Sequence, residues 1–146
     1  MKYGGRPEYA RFYAAVILAA GDAILRSRQP QAVVPVPVHR RRLAARGYNQ
    51  AEEIARHLAA ALQIPLLADA VVRRKNTRPQ YGLGRRERAG NLRNAFAPGG
   101  QAVPARVLVV DDIRTTGATL REMEKALREA GAEEVFAACA AAADAL

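Results

Sequence analysis

The sequence predicts an α/β fold, a mostly parallel twisted sheet flanked by helices. Two observations carry this. Short valine-rich runs alternate along the chain with longer stretches of helical period, the pattern of βαβ units. One run, Arg106 to Val110, passes through two acids and a Thr/Gly turn directly into a helix. Length and composition agree: 146 residues, 50% apolar and 25% charged, make one globular domain spanning 1–146. Such a chain buries roughly two-thirds of its unfolded surface.

From Glu8 to Leu25, residues Phe12, Val16, Ala19, Ala20, Ala23 and Ile24 recur at helical spacing and predict one amphipathic helix. Gln29-Pro30 stops it. Ala32 to Val38 reads as a buried strand, which Pro35 and Pro37 confine to an edge or to its terminus. A basic loop, His39 to Gly47, leads into a second helix from about Asn49 to Leu62, with Ala51, Ile54, Ala55, Leu58 and Leu62 on one face. Pro65 breaks it. Val71-Val72 suggests another strand.

Between Arg73 and Arg93 eight basic residues stand against Glu87 alone, with Pro79, Gly82, Gly84 and Gly90 interspersed, which predicts a long loop with a short helical turn. Ala95-Phe96 opens the next strand and Pro98-Gly99-Gly100 turns it. Arg106 to Val110 is the clearest buried strand. The following helix runs from Thr119 to Ala130 with Leu120, Met123, Leu127 and Ala130 in register, and Gly131 lies past its end. Val135 to Ala141 is the final strand.

The charge is less ordinary. Lys+Arg total 23 against 14 Asp+Glu, a net +9 with a pI near 10.6. The lysines are Lys2, Lys75 and Lys125, so the field is almost wholly arginine. It attracts phosphate, whether in nucleic acid, headgroups or a small polyphosphate. The single Cys139 excludes a disulfide framework and a Cys-rich zinc ribbon, and favours a reducing, cytoplasmic setting. Ala14 to Gly21 is too short to span a bilayer, so no membrane insertion is expected, and Met1 to Tyr13 does not resemble a secretory signal.

In an open parallel sheet, ligands gather beyond the carboxyl ends of the strands. There, Val107-Leu108-Val109-Val110 delivers Asp111-Asp112, and Thr115-Thr116-Gly117-Ala118-Thr119 then opens a helix. Backbone N–H groups, threonine hydroxyls and the positive end of the helix dipole form an anion cradle. Gly117 lets the backbone approach a phosphate without a Cβ in the way. Two acids beside such a cradle repel a bare anion. They suit a sugar phosphate, whose hydroxyls donate to carboxylates, or a hydrated Mg²⁺. Taken singly, the acids also fit a solvated strand end and the threonines a helix cap.

This segment resembles the 5-phosphoribosyl-1-diphosphate (PRPP) motif of type I phosphoribosyltransferases. Val34-Pro35-Val36-Pro37-Val38-His39-Arg40-Arg41-Arg42, then Arg46-Gly47-Tyr48-Asn49-Gln50-Ala51-Glu52, is similar to the ComF/GntX branch, bacterial proteins linked to natural competence and DNA uptake. So is the series Arg74, Thr77, Pro79-Gln80, Gly82-Leu83, Glu87-Arg88, Asn91 and Ala95-Phe96, as is Lys2-Tyr3 with Gly5-Arg6. The likeness covers nearly the whole chain. It departs in lacking the paired cysteines of the N-terminal zinc ribbon that relatives often carry, and in Arg114, where the loop more often has an apolar or small residue.

The resemblance implies a type I phosphoribosyltransferase fold with a small or absent hood, the first 30 residues being the candidate for one and 73–96 a flexible loop. It implies that Asp111 and Asp112 hold the ribose hydroxyls and touch the Mg²⁺ shell only indirectly, and that Thr115, Thr116, Gly117, Ala118 and Thr119 bind the 5-phosphate. Pro37, Val38, His39, Arg40, Arg41 and Arg42 would form the pyrophosphate loop. Arginine forks suit phosphate, although a run of three arginines is as often a solvated loop. Arg74, Arg78, Gln80 and Arg88 would close over the ligand from the flexible loop. Arg46, Tyr48, Asn49 and Gln50 would lie near the acceptor, while Asn49 and Gln50 could equally cap the second helix.

The implied activity is Mg²⁺-dependent transfer of the phosphoribosyl group of PRPP to a nitrogenous acceptor, linked to competence, by a homodimer. Closing the loop would keep water from an oxocarbenium-like transition state. A second reading is a non-catalytic PRPP-, nucleotide- or ssDNA-binding accessory factor working with a competence protein. The loop's one aromatic, Tyr81, is sparse for an ssDNA platform. A third is an adenine-type salvage enzyme.

Overall fold

The computed structural model describes residues 7–38, 40–74, 93–114 and 117–142. Its helices are α1 (Pro7–Ala20), α2 (Asp22–Arg28), α3 (Arg40–Arg46), α4 (Gln50–Leu62) and α5 (Ala118–Glu129). Its strands are β1 (Ala32–Pro35), β2 (Val71–Arg73), β3 (Phe96–Pro98), β4 (Arg106–Arg114) and β5 (Glu134–Ala142). β1, β4 and β5 form a parallel sheet in the order β1-β4-β5, with Ala32 beside Val107 and Arg106 beside Glu134. β2 and β3 form a separate antiparallel pair, Val71 opposite Pro98 and Arg73 opposite Phe96.

Strand alternation divides the apolar side chains between two cores. On one face Val33, Leu108 and Val110 pack with Ile54, Ala55 and Leu58 of α4 and Ala10, Ala14 and Ile17 of α1. On the other, Val34, Val107 and Val109 pack with Met123, Ala126 and Leu127 of α5 and with Val71 and Phe96 of the β2–β3 pair. Burying a side chain such as Leu58 or Leu127 stabilises the fold by about 1.5–3 kcal/mol. The order of the elements, the α4 face and the α5 face follow the sequence reading; Leu62 is only partly buried against its core.

Several expectations need correction. The helix read over 8–25 is two helices, broken at Gly21. Its expected apolar face is the outer one: Phe12 (60%), Val16 (44%) and Ile24 (62%) are exposed, as are Ala19, Ala20 and Ala23. Ala10 and Ala14 instead turn inward, because small side chains let α1 lie close against Ala55 and Ala59 of α4. On an alanine-rich helix periodicity alone does not choose between two apolar sides.

The basic loop read over His39–Gly47 is largely helical, as α3, and Gly47 follows it at φ 86°. The valine-rich run at 32–38 is strand only as far as Pro35. Val33 donates to Pro65 on the side away from β4, and Leu67 donates to Val33 there. The side chains and N–H groups of a strand alternate, so the missing N–H of Pro35 falls on this outer side. β4 continues past Val110 to Arg114, where Ile113 pairs with Ala141 and Arg114 with Ala142, so the two acids lie within the strand rather than beyond it. The short helical turn expected in the 73–93 loop lies outside the described residues. No helix among the described residues is long and apolar enough to cross a membrane.

Candidate functional site

The carboxyl end of β1 lies beside the middle of β4, just ahead of Asp111, since the Val36 N–H donates to the Val110 carbonyl at 2.9 Å. From this point the chain departs in opposite directions. β1 leads by way of α3 to α4 on one face, and β4 leads to α5 on the other. Beyond such strand ends, open parallel sheets form the crevices that hold ligands. The described parts of the two segments singled out separately in the sequence, 36–38 with 40–42 and 111–114 with 117–119, follow from these two neighbouring strands.

On β4, alternation continues from Val107 and Val109 to Asp111, which faces the α5 side, while Asp112 faces the other. Asp111 is 8% exposed, the one buried charged residue among those described. Its Oδ1 accepts the Asp112 N–H at 2.8 Å. Burial pushes its carboxyl well above the usual carboxylate range. The charge of Asp112 and a side-chain hydrogen bond with it push the same way, while the Asp112 N–H and the charge of Arg73 oppose them. Asp112 is half-buried.

Gly117 is the N-cap of α5, at φ 83° and with no side-chain cap hydrogen bond, so the first turn of α5 is not capped by a threonine among the described residues. Ala118 is buried and Thr119 half-buried in that turn. Thr115 and Thr116 lie outside the described residues. A Cβ on Gly117 would meet the Arg121 guanidinium at 3.3 Å, so this arginine, four residues on, reaches back over the turn.

Across the crevice, Pro37 and Val38 are half-buried and lead into the first turn of α3. Arg41 is exposed there; His39 and the side chains of Arg40, Arg42 and Arg46 lie outside what is described. Asn49 is the N-cap of α4, its Oδ1 accepting from Ala51 at 3.0 Å and Glu52 at 3.4 Å. Its Nδ2 donates to the Val36 carbonyl at 3.1 Å. The capping role considered for Asn49 is therefore present, and the same side chain fixes the segment that leaves β1. Gln50 opens α4 and Tyr48 is half-buried beside it. Arg74 is exposed, its N–H donating to Ala95 at 2.7 Å, and Arg78, Gln80 and Arg88 lie outside the described residues.

Two arginines escaped the sequence reading. Arg73 closes β2 with its guanidinium 5.4 Å over the Phe96 ring and acts on Asp111. Its signal was the period of two from buried Val71, which turns it inward where Arg74 turns out. Arg121 was legible only as Gly117 plus one helical turn. The described residues hold no group of three or more His, Cys, Asp or Glu able to bind a metal ion.

The family model of the phosphoribosyl transferase domain matches residues 43–145. Competence protein F of Haemophilus influenzae is 45% identical over 109 residues, covering 73% of this chain and 48% of that protein. DNA utilization protein YhgH of Escherichia coli is 31% identical over 145 residues, covering 95% of this chain and 63% of its own. The chain thus spans about half to two-thirds of the length of these relatives. Among solved structures, a purine phosphoribosyltransferase from Pyrococcus horikoshii superposes with a TM-score of 0.53 at 22% identity, over 88% of this chain and 71% of that one, a likeness of fold.

Proposed function

Since this chain belongs to the phosphoribosyl transferase domain family, among its ComF-like members, we propose that it binds PRPP together with Mg²⁺ and transfers the phosphoribosyl group to a nitrogenous acceptor. The observation that supports this most directly is the Val36–Val110 hydrogen bond. It holds the segment that leaves β1 toward α3 beside the strand that carries Asp111 and Asp112 and leads on to Gly117, an arrangement that supports a ligand with phosphate at both ends.

In this reading Thr115 to Thr119 hold the 5-phosphate through backbone N–H groups, and Asp111 and Asp112 accept hydrogen bonds from the ribose hydroxyls. The segment 37–42 and the loop that follows Arg73 meet the pyrophosphate. The acceptor nitrogen forms a bond to the anomeric carbon as the bond from that carbon to the pyrophosphate oxygen breaks. Pyrophosphate leaves with the bonding pair, and the acceptor gives up a proton. Positioning and fixed charge supply the rate, and no covalent nucleophile on the protein is needed. The donor set fits Mg²⁺ of one kind: two adjacent acids, one of them buried, suit a hydrated ion carried mainly by substrate oxygens rather than an all-protein cage. When bound, that ion neutralises the charge that develops on the pyrophosphate.

Calorimetric titration with PRPP and Mg²⁺, then with ribose 5-phosphate and pyrophosphate separately, tests the reading. The expected result is Mg²⁺-dependent PRPP binding in the micromolar range, on the order of −8 kcal/mol, lost in the Asp111→Asn, Asp112→Asn double variant. Unchanged affinity in that variant overturns it.

A second reading, a non-catalytic ssDNA-binding accessory to DNA uptake, is favoured by the net charge of +9 and by relatives named for competence and DNA utilization. It requires ssDNA binding whose log affinity falls steeply with log salt. A flat dependence removes it.

A further inference from the structure

α1 is apolar on two opposite sides. Its inner side is occupied, since Ala10, Ala14 and Ile17 pack in one core with Ile54 and Leu58 of α4. On its outer side Tyr9, Phe12 and Val16 follow at steps of three and four and are all exposed. The same side continues through the exposed Ala20 and Ala23. The break at Gly21 does not interrupt it. The Gly21 N–H donates to the Ile17 carbonyl and the Leu25 N–H to the Gly21 carbonyl, both at 2.8 Å, which is the helical i→i−4 pattern. α1 and α2 thus carry one stripe from Tyr9 to Ala23, about 21 Å long at the helical rise, with no charged residue in it. A helix with apolar residues on both sides belongs between two packed layers, and only one layer is supplied by this fold.

We propose that this stripe is the contact between two copies of the chain, paired antiparallel about a two-fold axis at Val16. The stripe is graded, with its bulk at one end, in Tyr9 and Phe12, and its small residues at the other, in Ala20 and Ala23. Phe12 and Ala20 are equally far from Val16 along the helix, as are Tyr9 and Ala23. The axis therefore sets Phe12 of each copy over Ala20 of the other, and Tyr9 over Ala23. Every ring meets a small residue, as self-complementary packing requires. The flanks agree in charge. Exposed Arg11 and Asp22 stand eleven residues, or three turns, apart on one flank, and the same axis brings Arg11 of each copy toward Asp22 of the other, which Arg26 already holds at 3.0 Å within its own chain. With Ile24, which is 62% exposed beside Ala23, the stripe offers on the order of 500 Å² per copy. A pair then buries on the order of 1,000 Å², enough for specific but weak association. Each copy carries a net +9, so the apolar contact works against mutual repulsion that salt screens. The inference is independent of the PRPP reading, because the stripe shares no residue with that site.

The test is sedimentation of the chain from about 1 to about 500 µM, at about 0.1 and about 0.5 M salt. A monomer–dimer equilibrium is expected, with a dissociation constant on the order of 10–100 µM, tightening several-fold at the higher salt. Phe12→Ala and Ala20→Phe should each weaken it about ten-fold or more, the first by removing a ring and the second by setting two rings against each other. The double variant, Phe12→Ala with Ala20→Phe, reverses the gradient and should recover most of the loss, because each ring again meets a small residue. At about 1 µM, where the chain is monomeric, all three should keep the far-ultraviolet circular dichroism of wild type, since both positions are exposed. A chain that stays monomeric throughout the range overturns the proposal. So does a dimer that neither single variant weakens, one that loosens as salt rises, or a double variant no better than the worse single one.

Discussion

The Asn49 side chain joins two elements that its sequence position alone would not link: Oδ1 caps α4, and Nδ2 donates to the Val36 carbonyl at 3.1 Å. Asn49→Ala should lower stability by about 2 kcal/mol, half from the cap and half from the lost bond to Val36. Asn49→Asp keeps the acceptor and loses the donor, so it should cost about half as much. Urea unfolding of the three proteins distinguishes them; equal costs would mean that the Val36 contact contributes nothing.

Asp111 gives the protein a predictable pH dependence. Its carboxyl holds a proton more tightly when folded than when unfolded, because burial and Asp112 disfavour its charge. Stability from this group is fully present below the unfolded value of about 3.9 and is lost as pH rises through the raised folded value. Asp111→Asn removes that slope. The melting temperature of the variant minus that of wild type should therefore increase upward from about pH 4 and then level off. A constant difference across pH would show that Asp111 is not perturbed.

Gly117 holds φ 83° with Arg121 over it, so a side chain there meets both backbone strain and a close guanidinium. Gly117→Ala should cost about 1–2 kcal/mol in thermal unfolding. It should also weaken ribose 5-phosphate more than pyrophosphate. Pyrophosphate weakened as much would detach this turn from the 5-phosphate.

The two sides of α1 should respond oppositely to mutation. Phe12→Gln, on the exposed side, is expected within about 0.5 kcal/mol of wild type. Ile17→Ala, on the side packed with Ile54 and Leu58, should cost about 2–5 kcal/mol. Comparable losses from both would place a contact on the outer face.

What the sequence revealed and what it hid divide along physical lines. The strand–turn–helix from Arg106 to Glu129 was legible because its apolar period, its acids and its glycine act locally. Asn49 could be recognised as a cap for the same reason, yet its bond to Val36 spans 13 residues and leaves no periodic trace. The inward face of α1 was misread because Ala10 and Ala14 are chosen by the closeness of α4, a property of the partner helix. The reach of β4 to Arg114 was missed because acids seldom continue a buried strand, and here β5 supplies the pairing. Arg73 was passed over for Arg74 because in a run of arginines only the strand's alternation distinguishes inner from outer.

On the proposed PRPP reading, the hold of β1's carboxyl end on β4 would also govern how the site ranks its ligands. Two half-sites fixed to neighbouring strands act as a chelate: once one end of a molecule is held, the other is already at high local concentration. A ligand with phosphate at both ends then gains far more than the sum of its fragments, with no new contact. Free phosphate and pyrophosphate would engage one half only and leave quickly. On the proposed PRPP reading, selectivity for a sugar phosphorylated at both ends would rest on how firmly β1 is held to β4, to which the Val36–Val110 hydrogen bond contributes.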